Sequence, residues 1–183
     1  VNIFSEAGIL TWKAFPLSLI FAGKKADMIE AFKNLSREEQ DYLLKVPVML
    51  AILIAGVDDD IDDREMESAR KWAQYKRITS DPLLIPYYEL VYKHFEENME
   101  SLIMDYPSMA SLRNPIIKKE LEKINPLFEK LDPEFAVALY ESLRRYAKYV
   151  AEASGGFLGF FKVSPEEKEL LDLPMIKNPA GEK

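Results

Sequence analysis

Asp58-Asp59-Asp60-Ile61-Asp62-Asp63 places five carboxylates in six consecutive positions. Like charges a few ångströms apart repel by about 1 kcal/mol per close pair even in water. A helix N-terminus, a basic partner or a bound cation therefore has to offset them. Two chemistries answer that need. In one, Asp62 caps the following helix while Asp63 and Glu65 complement its dipole, each contributing less than about 1 kcal/mol at an exposed site. Asp58, Asp59 and Asp60 are then solvated charge. In the other, a hard divalent cation, Ca or Mg, takes oxygen ligands from Asp58, Asp60, Asp62 and Glu65. The spacing is not that of an EF-hand: counting from Asp58, Asp63 falls where the loop needs Gly and Ala69 where it needs a bidentate carboxylate. Further ligands would have to come from elsewhere in the fold, with Glu166, Glu167 and Glu169 as candidates.

Other reactive groups are sparse. His94 is the only histidine and there is no cysteine, so thiolate catalysis, disulfides and imidazole-rich zinc sites are excluded. Ser154 and Ser164 have no base nearby in sequence. Gly155, Gly156 and Gly159 lack the G-x-x-x-x-G-K-[ST] spacing of a phosphate loop. Phe157, Leu158, Phe160 and Phe161 beside them suit a hydrophobic plug, or an exposed partner-binding tip.

Charge is concentrated where the acids are. Between positions 58 and 105 there are six Lys and Arg against thirteen Asp and Glu, and the flanking segments balance, so this segment carries the whole net charge of −7. Such a face repels phosphate backbones, which argues against nucleic-acid binding, and attracts cations and basic partners.

The elements that must hold these groups read as helical almost throughout, with no period-two run of β-branched residues. The spacing predicts helices over about Lys25 to Lys33 and from a Ser36/Glu39 capping box onward, kinked or split at Pro47. A charged helix follows from Asp63 to about Tyr75, and a loop with Asp81, Pro82 and Pro86 resets the chain. Tyr88, Val91, Phe95, Met99 and Leu102 form one apolar stripe. Another helix is expected after Pro115. A last one starts at Asp132-Pro133, with Leu139, Leu143, Tyr146 and Val150 on one side, and Ser154-Gly155-Gly156 ends it. Val46 to Val57 is charge-free but well short of the ~20 residues that cross a bilayer, so it is expected to be a buried core helix. Trp12, Phe15, Leu17, Leu19, Ile20 and Phe21 are expected to pack as an arm over the core or over a partner subunit. The resulting expectation is an arm over 1–24, one helical domain over 25–174 and a C-terminal tail over 175–183. Cysteine-free composition fits a cytoplasmic protein.

Two connections share a pattern. Ile61-Asp62-Asp63-Arg64-Glu65 and Val163-Ser164-Pro165-Glu166-Glu167 each offer an apolar residue, a capping side chain and a glutamate three residues beyond the cap. With Asp58, Asp59, Asp60, Ile61 and Glu65, and with Ala153-Ser154-Gly155-Gly156 leading to Ser164-Pro165-Glu166-Glu167, the chain resembles the TerB-like tellurite-resistance domain over about Leu43 to Leu171. Asp59 stands where that family usually has glycine. The resemblance implies an all-α bundle-like domain of about seven to nine helices with pseudo-symmetric halves. It also implies a non-enzymatic role in stress or tellurite response, with acidic residues taking a divalent cation. The alternative is a metal-independent protein-interaction or scaffold domain using the N-terminal arm and the Phe160-Phe161 loop, with a protein partner or a homo-oligomer.

Overall fold

Ten consecutive apolar residues from Val46 to Ala55 are all buried, because the helix that carries them lies at the centre of the molecule. The computed structural model describes residues 29–55, 63–152 and 170–181. The central helix, α1 (Arg37–Ala55), is followed by α2 (Asp63–Thr79), α3 (Ile85–Lys93), α4 (Phe95–Asp105), α5 (Ala110–Leu121), the one-turn α6 (Asn125–Phe128) and α7 (Pro133–Ala151). Single 3-10 turns at Glu30–Phe32, Pro82–Leu84 and Glu122–Ile124 join them. No strand occurs among the described residues, and the fold is all-α. α1 packs against α2, α3, α4, α5 and α7, so a helix that is apolar all round finds an apolar neighbour on every side. Among the described residues no helix is long and apolar enough to cross a membrane.

Local signals in the sequence place the helix starts. The Ser36 amide donates to Glu39 Oε2 at 2.8 Å and the Glu39 amide donates back to Ser36 Oγ at 3.2 Å, which is the reciprocal capping box. Lys130 Nζ also donates to Glu39. That bond, followed by the one from the Ser36 amide, holds the Glu39 carboxyl below its ordinary range. Asp132 Oδ1 accepts from the amides of Glu134 and Phe135 to open α7. Leu139, Leu143, Tyr146 and Val150 are fully buried along that helix. The stripe from Tyr88 to Leu102 is buried too, although a turn at His94 divides it between α3 and α4.

Two expectations are corrected, and a third falls partly outside the described residues. Pro47 does not split its helix, for α1 is continuous from Arg37 to Ala55. Proline deprives the carbonyl four residues back of its helical donor, and here that carbonyl, Leu43 O, accepts instead from the buried Tyr87 hydroxyl at 2.9 Å. The helix expected after Pro115 begins earlier, at Ala110, with the amides of Leu112 and Arg113 both donating to Met109 O. Within the expected Lys25–Lys33 helix, the described part holds only the turn Glu30–Phe32. The matching pair of connections lies at 58–62 and 153–169, outside the described residues apart from the start of α2.

Residues 170–181 return to the bundle. Leu170, Leu173, Met175 and Ile176 are buried, the last two within the segment expected as a tail. Asn125 holds this return: its Nδ2 donates to Met175 O at 3.0 Å and its Oδ1 accepts from the Lys177 amide at 2.8 Å. Asn125→Ala removes both bonds and should cost about 1–3 kcal/mol. The change should also speed hydrogen exchange at the Lys177 amide, and unchanged exchange there would show that apolar burial alone docks the segment.

Candidate functional site

Asp58, Asp60 and Asp62 lie outside the described residues, and so do Glu166, Glu167, Glu169 and the Phe157–Phe161 stretch. Glu65 falls in the first turn of α2. Among the described residues no three His, Asp or Glu side chains are grouped to hold a metal ion. His94 sits at the α3–α4 junction, partly exposed, with Nδ1 3.4 Å from Glu97 Oε2.

A concave site among the described residues lies at the other end of α2. The C-terminal turn of α2, the turn Pro82–Leu84 and the first three turns of α7 enclose a cleft of about 640 Å³, within the range of small-molecule sites. Lys76 lies about 20 Å along α2 from Asp63 at 1.5 Å per residue, so this cleft is remote from the start of that helix. Asp81 sets the cleft's shape by accepting from the Leu83 amide at 3.0 Å. This cap forms the turn that packs on α7.

Its polar lining is partly unsatisfied. Ser80 Oγ is buried and has no hydrogen-bond partner. Ser142 is buried on α7 and bonds the buried Tyr88 hydroxyl at 2.6 Å. When Tyr88 donates in that pair, the Ser142 proton is left to serve a ligand. Burial pushes the Tyr88 phenol well above its ordinary value, so it stays protonated. Lys76 and Arg145 line the same cleft, and among the described residues neither has a carboxylate within ion-pair range. Burial, and then the nearby Arg145 charge, lowers the Lys76 pKa. The Lys76 ammonium lies 5.1 Å over the Trp72 ring. Arg145 Nε donates to the Glu141 carbonyl at 3.2 Å, and among the described residues neither terminal amino group of the guanidinium has a partner. Asp81, Glu134 and Glu141 supply the negative charge of the lining, and Leu83, Leu84, Val137 and Ala138 its apolar wall.

This arrangement can bind and orient. No cleft hydroxyl has an imidazole or a carboxylate as hydrogen-bond partner: Thr79 Oγ1 donates to Tyr75 O, Ser142 pairs with Tyr88, and Ser80 Oγ has none. Activated nucleophiles carry such a base. Sequence reasoning overlooked Lys76, Ser80, Ser142 and Arg145. One signal was present: Ser142 interrupts the apolar stripe of α7 between Leu139 and Leu143, and a buried hydroxyl there needs a partner.

Beside Trp72, whose ring centroid is 4.2 Å from its own, Tyr146 has a hydroxyl that is buried without a partner. An unsatisfied buried hydroxyl weakens a fold by about 1–3 kcal/mol. Tyr146→Phe is therefore expected to be neutral or stabilising by about 1 kcal/mol in urea denaturation, and a loss of stability would reveal a bond to that oxygen.

No family model matches this chain, and no curated protein or solved structure matches it either.

Proposed function

We propose that this protein is a non-enzymatic helical binding module that works through the α2–α7 cleft. One observation carries the reading: Lys76 and Arg145 stand without counter-ions beside the unpartnered Ser80 hydroxyl, in a concavity of small-molecule size. Two unneutralised cations facing one concavity attract an anionic group, and the buried Ser80 hydroxyl behind them still lacks an acceptor. Amide NMR of the intact chain against a panel of small molecules tests it. Shifts should cluster at Lys76, Ser80, Val137, Ser142 and Arg145, and a panel that produces none there overturns the reading.

A small non-enzymatic module is also what the resemblance to TerB-like domains implies, with a place in stress or tellurite response, and the cysteine-free composition supports a cytoplasmic setting. On that ground, and on the crowding of acids between 58 and 63, we propose separately that Asp58, Asp60, Asp62 and Glu65 take a Ca or Mg ion. Calorimetric titration of each ion into the intact chain should give heat that Asp58→Asn with Asp60→Asn abolishes. Equal heats in both proteins would discard the cation.

A metal-independent interaction role has one favouring observation. Met109, Leu112 and Ile116 are exposed at spacings of three and four along α5, with Ile103 and Met104 exposed at the end of α4. A second copy of this chain is the occupant we assign, since an exposed stripe can pair with itself about a two-fold axis. Light scattering should then report dimers that Leu112→Ser disperses, and a monomer at all concentrations would remove this role.

A further inference from the structure

We infer that the Lys76–Arg145 end of the cleft holds the oxyanion head of a small amphiphilic molecule, a carboxylate or a phosphate monoester, whose apolar body lies along Leu83, Leu84 and Val137. The inference rests on the reading of the cleft as a binding site and adds the chemical class of its ligand.

Three observations converge on it. First, two cations share one cleft with no carboxylate of the described residues in ion-pair range, although Glu141 lies one turn from Arg145 on the same helix. A fold that needed only charge balance would close that pair across i and i+4. Instead, Arg145 spends its Nε on the Glu141 main-chain carbonyl and keeps its planar fork open, which is the geometry that meets a carboxylate or phosphate with two parallel bonds. Second, Ser80 Oγ is a buried donor without an acceptor, and Ser142 can offer its proton when Tyr88 donates. Both serines belong to the lining with the cations, their hydroxyls buried just behind its surface, and a hydroxyl donor that a side-chain rotation turns into the cleft suits an anion better than a neutral group. Lys76, half-buried and lowered in pKa by desolvation and by Arg145, gains from any anion that enters.

Third, the rest of the lining is apolar or negative. Leu83 is exposed at 44 % although it belongs to the wall, and Leu84, Val137 and Ala138 continue that wall along α7. Glu134 stands at the start of α7, about 16 Å from Arg145 along that helix at 1.5 Å per residue. A second anionic group at that far end would be repelled, so one charged head with an apolar body fits and a dianion charged at both ends does not.

The test titrates the intact chain with octanoate, phenyl phosphate, inorganic phosphate, octanol and octylamine, read by amide NMR and calorimetry. Octanoate and phenyl phosphate are expected to shift Ser80, Ser142 and Arg145 and to bind at least tenfold more tightly than octanol or octylamine. Arg145→Gln, a change at the exposed rim, should weaken both anions at least fivefold and leave octanol unchanged. Glu141→Gln should tighten them. Octanol or octylamine binding as tightly as octanoate, or anion affinity indifferent to Arg145→Gln, would overturn the anionic head while the cleft stands. Inorganic phosphate binding as tightly as phenyl phosphate would overturn the apolar body. Failure of every probe to shift a cleft resonance would remove the binding reading itself, and this inference with it.

Discussion

Tyr87→Phe is expected to lower stability by about 1–3 kcal/mol, several times what loss of a surface hydroxyl costs. The reason lies on another helix. Pro47 has no N–H, so within α1 the Leu43 carbonyl lacks its helical donor. Leu43 and Tyr87 are both fully buried, and water cannot replace the hydroxyl that now donates to that carbonyl at 2.9 Å. Removing the hydroxyl leaves a buried acceptor unpaired, the expensive half of a broken hydrogen bond. A double-mutant cycle isolates the effect. In a Pro47→Ala background the restored amide at position 47 supplies the missing donor, and Tyr87→Phe should become close to neutral. Urea denaturation of the four proteins would then give a coupling energy of about 1 kcal/mol or more. Additive losses would mean that Leu43 O is satisfied without Tyr87. Burial also pushes the Tyr87 phenol well above its ordinary value, so the donor keeps its proton throughout the stable range.

That bond shows where sequence reading stopped. Elements whose signals are local were legible. Ser36 with Glu39, Asp132 with Pro133, and the stripe from Tyr88 to Leu102 each carry their own evidence within a turn or two of chain. Pro47 looked like a break because its rescuer lies 44 residues away from Leu43, and no local rule reaches that far. Asn125 was invisible for the same reason, since its partners are Met175 and Lys177. The cleft was harder still. Lys76 and Arg145 each read as ordinary charge on a solvated helix face, and only the packing of α7 against α2 and the Asp81-capped turn brings them together. The acidic stretch drew attention because it is contiguous. A site assembled from two helices leaves no run in the sequence, only a serine out of place in an apolar stripe.

Trp72→Ala should be the most damaging single truncation at the site, costing about 3–5 kcal/mol. Trp72 is 4 % exposed, with its ring 4.2 Å from that of Tyr146 and 5.2 Å edge-on to that of Tyr88. Such aromatic pairs add about 0.5–1.5 kcal/mol each beyond the area they bury. The damage should not stop at stability, because the same ring packs against Tyr88 and Lys76, which connect it to the cleft lining. Tyr88 positions Ser142 through its hydroxyl, and the Lys76 ammonium rests over the indole face, where a ring offsets part of the desolvation that lowers the lysine pKa. Trp72→Phe and Trp72→Leu separate packing from support. Each is expected to cost about 1–3 kcal/mol in cavity and lost contacts, but only Phe keeps a π face under Lys76. Denaturation is best followed by far-ultraviolet circular dichroism, since the substitution removes one of only two tryptophans. If the Leu and Phe variants match in stability while only Leu weakens octanoate, the ring acts on the cleft through the ammonium. A loss below about 1.5 kcal/mol for Trp72→Ala would instead mean that Tyr88 and Tyr146 close over the space, so that the placement of Ser142 and Lys76 does not depend on Trp72.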